Sequence, residues 1–202
     1  MLKNPIPAST LNSRHHPAEQ QPVPPLTLEC HSQGFTGRDQ ILTEDGTTIM
    51  FYYDHSTSFP GWHGKLKAGG PEGPVVCRAK KGFSSSFKLA LGDGPEFDCV
   101  RTGVMSVTHT FTSPVSGTPY KWKNVGFPGG GTELALADLT VPNEQRIVAT
   151  WDTRVTWSRK NGILRVSRDY MHELEIVATS CLAMYGARAE FRLDPVLSAH
   201  LD

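Results

Sequence analysis

Only a few residues in this chain are of types that could do chemistry: some histidines with an aspartate, a glycine run and four cysteines. Asp54, His55 and His63 bracket Phe59-Pro60-Gly61-Trp62, and an aspartate with two histidines could ligate a metal or form an acid/base pair. Their spacing matches no ligand pattern, and a loop of polar and aromatic residues explains them as well, so no metal is assigned. His15 and His16 are adjacent in an extended stretch, where two neighbouring rings do not easily face one ion; a solvated tail is the simpler reading. His109 alternates with Val107 and Phe111, which predicts a hydrogen-bonded histidine on an inner face rather than a catalyst. Pro128-Gly129-Gly130-Gly131-Thr132 lacks the Gly-Lys-Ser/Thr of a phosphate loop. A strand follows it, so no row of free helix amides would meet an anion. There is no Gly-x-Ser-x-Gly elbow. Cys30, Cys77, Cys99 and Cys181 have no CxxC spacing and are expected to be reduced, mostly buried thiols. The expectation is a chain without catalytic residues, cofactor or metal.

Binding chemistry is then left to the bases. Lys+Arg and Asp+Glu total 20 each, which gives no global pull toward nucleic acid, so an electrostatic partner must be met by a local patch. Two segments are locally basic. Between Trp62 and Lys88 stand Lys65, Lys67, Arg78, Lys80, Lys81 and Lys88 against Glu72 alone. Between Arg146 and Arg168 stand Arg146, Arg154, Arg159, Lys160, Arg165 and Arg168 against Asp152. If the two adjoin, they make a site for anionic headgroups, where each base contributes ~1 kcal/mol. The candidate contacts are Lys65, Lys67, Arg78, Lys80, Lys81, Arg159 and Lys160. The competing reading is that these are solvated outward positions of half-buried strands.

The elements that would carry these bases are short strands. Residues 1–37 are Pro-rich, with isolated aliphatics that keep no period, and predict a disordered arm. From residue 38 the period becomes two. Thr47 to Tyr53 follows the turn Glu44-Asp45-Gly46; Val75 to Lys80 and Phe87 to Leu91 follow, and Gly92-Asp93-Gly94 reverses the chain. Phe97 and Cys99, then Met105 to Phe111, continue the pattern up to the loop from Pro114 to Pro119. Tyr120-Lys121-Trp122-Lys123 puts rings on one face and ammonium groups on the other. Leu134 and Leu136, Ile147 to Trp151, Val155 and Trp157, and Ile163 to Val166 bring the count to about ten. Asn161-Gly162 predicts a type I′ hairpin turn. So many short strands predict an antiparallel barrel or sandwich.

The last element is of another kind. Residues 172–187 predict one helix of roughly 24 Å that is apolar on nearly every side, yet too short to cross a bilayer. Leu174, Ile176, Val177, Cys181, Leu182, Met184 and Tyr185 spread around the wheel, so packing on a single face fits poorly. Asp169, as N-cap, and Glu173 and Glu175 stand at its amino end, and Arg188 and Arg192 at its carboxyl end, as the helix dipole prefers. The expectation is a mainly β domain over 38–192, closed around this helix, with a short tail over 193–202.

Taken in order, the strands carrying Tyr120-Lys121-Trp122-Lys123, Leu134 to Asp138, Arg146 to Trp151 and Gly162 to Val166, followed by Glu173 to Thr179 and a basic end, resemble the tubby C-terminal-like superfamily. They are most similar to a set of uncharacterised fungal domains placed there, akin in shape to LURP-one-related proteins and phospholipid scramblases. The resemblance covers about residues 38–192. It implies a closed antiparallel barrel of about twelve strands around a buried C-terminal hydrophobic helix, and a noncatalytic domain. It also implies phospholipid binding, since tubby proteins bind phosphoinositides through basic residues on the barrel surface. A protein partner met on the same outer surface is the other implied role. The alternative is a helix-grip small-molecule carrier, or a hydrolase or cyclase-like enzyme, with a cavity between sheet and helix. It would need two short helices after its first strand, where Asp54 to Pro74 is rich in Gly and Pro. Met1 to Pro7 contains no apolar signal region and no Asn-x-Ser/Thr acceptor occurs, so a soluble, cytoplasmic protein, peripheral to a membrane at most, is expected.

Overall fold

The computed structural model describes residues 23–33, 39–58, 61–102, 108–125, 133–141, 146–153 and 160–185. They form twelve strands: β1 (Leu26–Gln33), β2 (Asp39–Thr43), β3 (Ile49–Ser58), β4 (Gly61–Ala68), β5 (Val75–Lys81), β6 (Phe87–Leu91), β7 (Phe97–Thr102), β8 (Thr108–Thr112), β9 (Pro119–Asn124), β10 (Glu133–Asp138), β11 (Arg146–Asp152) and β12 (Lys160–Val166). Each pairs antiparallel with its sequence neighbours. β1 pairs with both β2 and β12, which closes the sheet into a barrel and leaves no edge strand exposed.

The period of two decides which side chains face the bore. On β4, Trp62, Gly64 and Leu66 are buried while His63 and Lys65 are exposed. On β9, Tyr120 and Trp122 point inward between the half-buried Lys121 and Lys123. Trp62, Trp122 and Trp151 are fully buried, and two strand glycines make room for rings of this kind. A Cβ at Gly64 would lie 2.0 Å from Tyr53 Oη, and one at Gly162 would lie 2.5 Å from Trp151 Cζ2.

The barrel is larger than the sequence patterns indicate. Leu26–Gln33, assigned above to the disordered arm, is β1, the strand that closes the ring. Leu26, Leu28 and Cys30 alternate inward, a short signal hidden by the prolines before it. The supposed loop from His55 to His63 spans the end of β3 and the start of β4. β3 itself starts at Ile49, because the Asp45 carboxylate accepts the Thr47 and Thr48 amides (2.9 and 2.6 Å) and holds them in the turn. The Gly46, Gly92 and Gly117 turns occur as expected, each with positive φ. Asn161-Gly162 makes no hairpin turn. It lies within β12, where Gly162 pairs with Cys30 and is covered by the Trp151 indole. The expected strand residues Met105, Val107, Val155 and Trp157 lie outside the described residues.

After β12 the chain leaves the wall at Ser167, forms 3-10 turns over Arg168–Glu173 and continues as a helix, α1, over residues 174–185. Ser167, not Asp169, occupies the N-cap position, because the Tyr170 amide bonds back to the Ser167 carbonyl (3.0 Å). Every residue from 176 to 184 is buried. The Thr179 hydroxyl reaches the Cys77 thiol of β5, while Tyr185 packs on Trp151 of β11 with ring centroids 5.7 Å apart. In a ring of twelve, β5 and β11 stand on opposite walls, so a helix touching both runs along the axis. Trp122 Nε1 also donates to Ser180 Oγ at 2.9 Å, giving the one polar stretch of the helix a partner. Among the described residues, no helix is long and apolar enough to cross a membrane.

The helix is moored where it enters. The Glu173 carboxylate, fully buried, accepts Ser113 Oγ (2.7 Å), Ser116 Oγ (2.5 Å) and Tyr120 Oη (3.4 Å). Tyr170 Oη donates to Asp138 Oδ2 at 2.8 Å. Burial works against the Asp138 charge, but hydrogen bonds from Thr140 and Tyr170 outweigh it and leave the carboxyl below its ordinary value.

Candidate functional site

The outward positions of β3 to β7 carry most of the candidate bases. Antiparallel register aligns Ser56, His63, Lys80, Lys88 and Asp98 in one row across five strands, and Asp54, Lys65 and Arg78 in the next. Two open furrows of about 460 and 480 Å³ cross this wall, and His63, Lys80 and Lys88 line both. Small residues make the space: Gly64, Ala79, Ala90 and Gly94 line one furrow, Gly61 and Gly82 the other.

The acids of the neighbouring turn partly neutralise the wall. Glu96 pairs with Lys80 and, at 3.6 Å, with Lys88; the Lys80 hydrogen bond is the main cause that holds its carboxyl below the ordinary value. Arg78 donates to Asp93 Oδ1 at 2.5 Å and to the Gly92 carbonyl. Lys67 lies 3.6 Å from Asp54, donates to the Pro71 carbonyl at 2.7 Å and sits 5.7 Å from the centre of the Tyr52 ring. Lys65 stands exposed in the furrow. Exposed pairs of this kind are worth ~1 kcal/mol or less, so a multivalent anion can compete for these lysines.

The fold gathers five of the seven candidates and separates the rest. Lys65, Lys67, Arg78, Lys80 and Lys81 share β4 and β5, whereas Lys160 opens β12 opposite His31 of β1. β12 faces β6 across the ring, which separates the described strands of the two basic segments. Arg159 lies outside the described residues, as do His15, His16 and the glycine run 128–132.

The histidine sites also come apart. His63 points outward and His55 inward, where its ring lies 5.5 Å from Trp62, so the two sit on opposite faces of the wall. Asp54 pairs outward with Lys67. His109 is buried, with Nε2 3.4 Å from the Ser85 carbonyl and its ring 5.3 Å from Phe87, as a core histidine should be. All four cysteines are free and buried, and burial pushes the Cys30, Cys77 and Cys99 thiols up, Cys77 to about 11. Among the described residues, no group of three His, Cys, Asp or Glu could hold a metal.

The connections at the end where α1 enters carry Glu44, Asp45, Glu72, Asp93 and Glu96. At the far end, the terminal two residues of β5 to β9 include Lys80, Lys81, Lys88, Arg101 and Lys123, while those of β2, β10 and β11 bring Asp39, Glu133 and Asp152. The β5–β6 connection there exposes Phe83 to 82%, the most exposed large hydrophobic side chain among the described residues. No protein-family model, curated protein or solved structure matches the chain.

Proposed function

We propose that this protein is a noncatalytic, tubby-like domain that meets anionic membrane lipids, phosphoinositides among them, through the outer wall of β4 to β6 and the adjoining far end of the barrel. The observation that carries the reading is the cross-strand cluster of Lys65, Arg78, Lys80 and Lys88 around two open furrows, continued at the far end by Lys81 and Arg101. The closed barrel with an axial helix supports the tubby-like part, and it leaves recognition to the outside because α1 occupies the bore. Such a domain would work at the cytoplasmic face of a membrane, where anionic lipids attract clustered bases.

The test is sedimentation with vesicles. Phosphoinositide-containing vesicles retain the protein at low salt and release it as salt rises, and each of Lys80→Glu and Lys88→Glu weakens retention about fivefold or more, given ~1 kcal/mol per base. Equal retention on neutral vesicles, or none on either kind, removes the headgroup reading.

A further inference from the structure

The β6–β7 connection, Gly92-Asp93-Gly94-Pro95-Glu96, sets two acids over the bases of the outer wall. Glu96 lines one furrow and reaches both Lys80 and Lys88, cross-strand neighbours on β5 and β6. Asp93 holds Arg78, which also donates to the Gly92 carbonyl. Of the four bases clustered there, Lys65, Arg78, Lys80 and Lys88, this one turn meets all but Lys65. The turn is braced to keep that position: the Gly92 amide donates to the Val76 carbonyl of β5 at 2.8 Å and the Gly94 amide to the Leu91 carbonyl at 2.7 Å, with Gly92 at φ +47°. The Lys80, Lys88 and Glu96 side chains are 48%, 51% and 40% exposed, so their pairing adds little to stability. What it changes is the furrow, whose bases already have an anion.

We propose that Glu96 is a built-in competitor for the furrow: its carboxylate stands where a phosphate would, between Lys80 and Lys88, and an incoming anion binds by displacing it. The inference rests on the lipid-binding reading above and adds the regulation of that site. Exchange favours the ligand with more charge. A phosphate monoester carries about −1.5 to −2 at pH 7 and three acceptor oxygens, against the single charge of Glu96, and can engage both ammonium groups. The phosphodiester of a common anionic lipid brings a single charge and gains little by the exchange. Attachment is then weak on such lipid and holds where phosphomonoesters are displayed.

Glu96→Gln removes the charge and keeps the size of the side chain. With the full chain sedimented on vesicles carrying either phosphatidylglycerol or a bisphosphorylated phosphoinositide, it raises affinity about fivefold on both, because the competitor must leave whichever anion binds. The gain shrinks as salt rises, and the thermal melt is unchanged. Asp93→Asn gives a smaller gain, since the Gly92 carbonyl still holds Arg78. Glu72→Gln, the same charge change at the same end of the barrel but outside both furrows, gives none. Equal gains from Glu96→Gln and Glu72→Gln mark an effect of net charge and overturn the competitor. Unchanged or weaker retention of Glu96→Gln, on phosphoinositide vesicles that hold the native chain, also overturns it and leaves the headgroup reading standing. A gain toward inositol trisphosphate free in solution, with no vesicle binding by either chain, supports the competitor and overturns the membrane reading. No binding of either chain to vesicles or to inositol trisphosphate overturns both.

Discussion

Gly64 of β4 has no positive φ and belongs to no turn, so its lack of a side chain serves packing alone: the Tyr53 ring of β3 lies over it. Trp151 of β11 covers Gly162 of β12 in the same way. Adding a methyl group at 64 forces the tyrosine out of its place, whereas Gly70 has nothing within 4 Å of its added Cβ. Gly64→Ala should therefore cost about 1–3 kcal/mol and Gly70→Ala less than about 0.5, read from urea midpoints. Equal costs at the two sites would contradict the ring-over-glycine packing. At this scale the sequence was a poor guide. Asn161-Gly162 carries the strongest local turn signal in the chain, yet tertiary packing against Trp151 holds it in a strand.

The elements were more legible where their patterns were long. α1 shows itself by apolar residues on every side, a distribution that only surroundings on all sides can satisfy. Its start falls two residues later than expected because residues 172 and 173 still belong to the 3-10 turns of Arg168–Glu173. Leu182, 1% exposed, lies on the barrel axis. Leu182→Ala should cost about 2–5 kcal/mol, and Leu182→Asp, which buries an unpaired charge, should abolish cooperative folding by circular dichroism. A Leu182→Asp chain that melts cooperatively would show that the helix is not the core. β1 and β4 were missed for opposite reasons. β1 follows a proline run that masks its alternation, and β4 is rich in glycine, its buried positions being readable only beside Tyr53 and Trp62.

At the scale of the molecule, closure of the ring around α1 takes titratable groups out of water. The Cys77 thiol ordinarily ionises near 9.0 but is held up to about 11, first by burial, and Tyr120 rises from 10.0 to about 12 for the same first reason. Between pH 9 and 11 the unfolded chain loses the Cys77 proton while the folded chain keeps it, so stability present below pH 9 declines through that window. Cys77 alone accounts for roughly 3 kcal/mol. Thermal denaturation under reducing conditions should show a plateau up to about pH 9 and a fall above it; a flat profile through pH 11 would mean that water reaches the thiol in the folded state. Alternate connections of an up-and-down barrel emerge at alternate ends, so acids distant in sequence, such as Glu44 and Asp93, collect at one end.

Alternation of period two and a helix apolar all round determined, from sequence alone, a mainly β fold with a buried carboxyl-terminal helix, because burial on one face or on every face leaves its own spacing in the chain. The sequence also marked the first basic segment. Tertiary structure alone decided that β1 closes the ring and that β6 and β12 stand on opposite walls, which separates the described strands of the two basic segments. Those outcomes depend on strand register and on which connections share an end. Both are set by contacts between residues far apart in the chain, which no local pattern records.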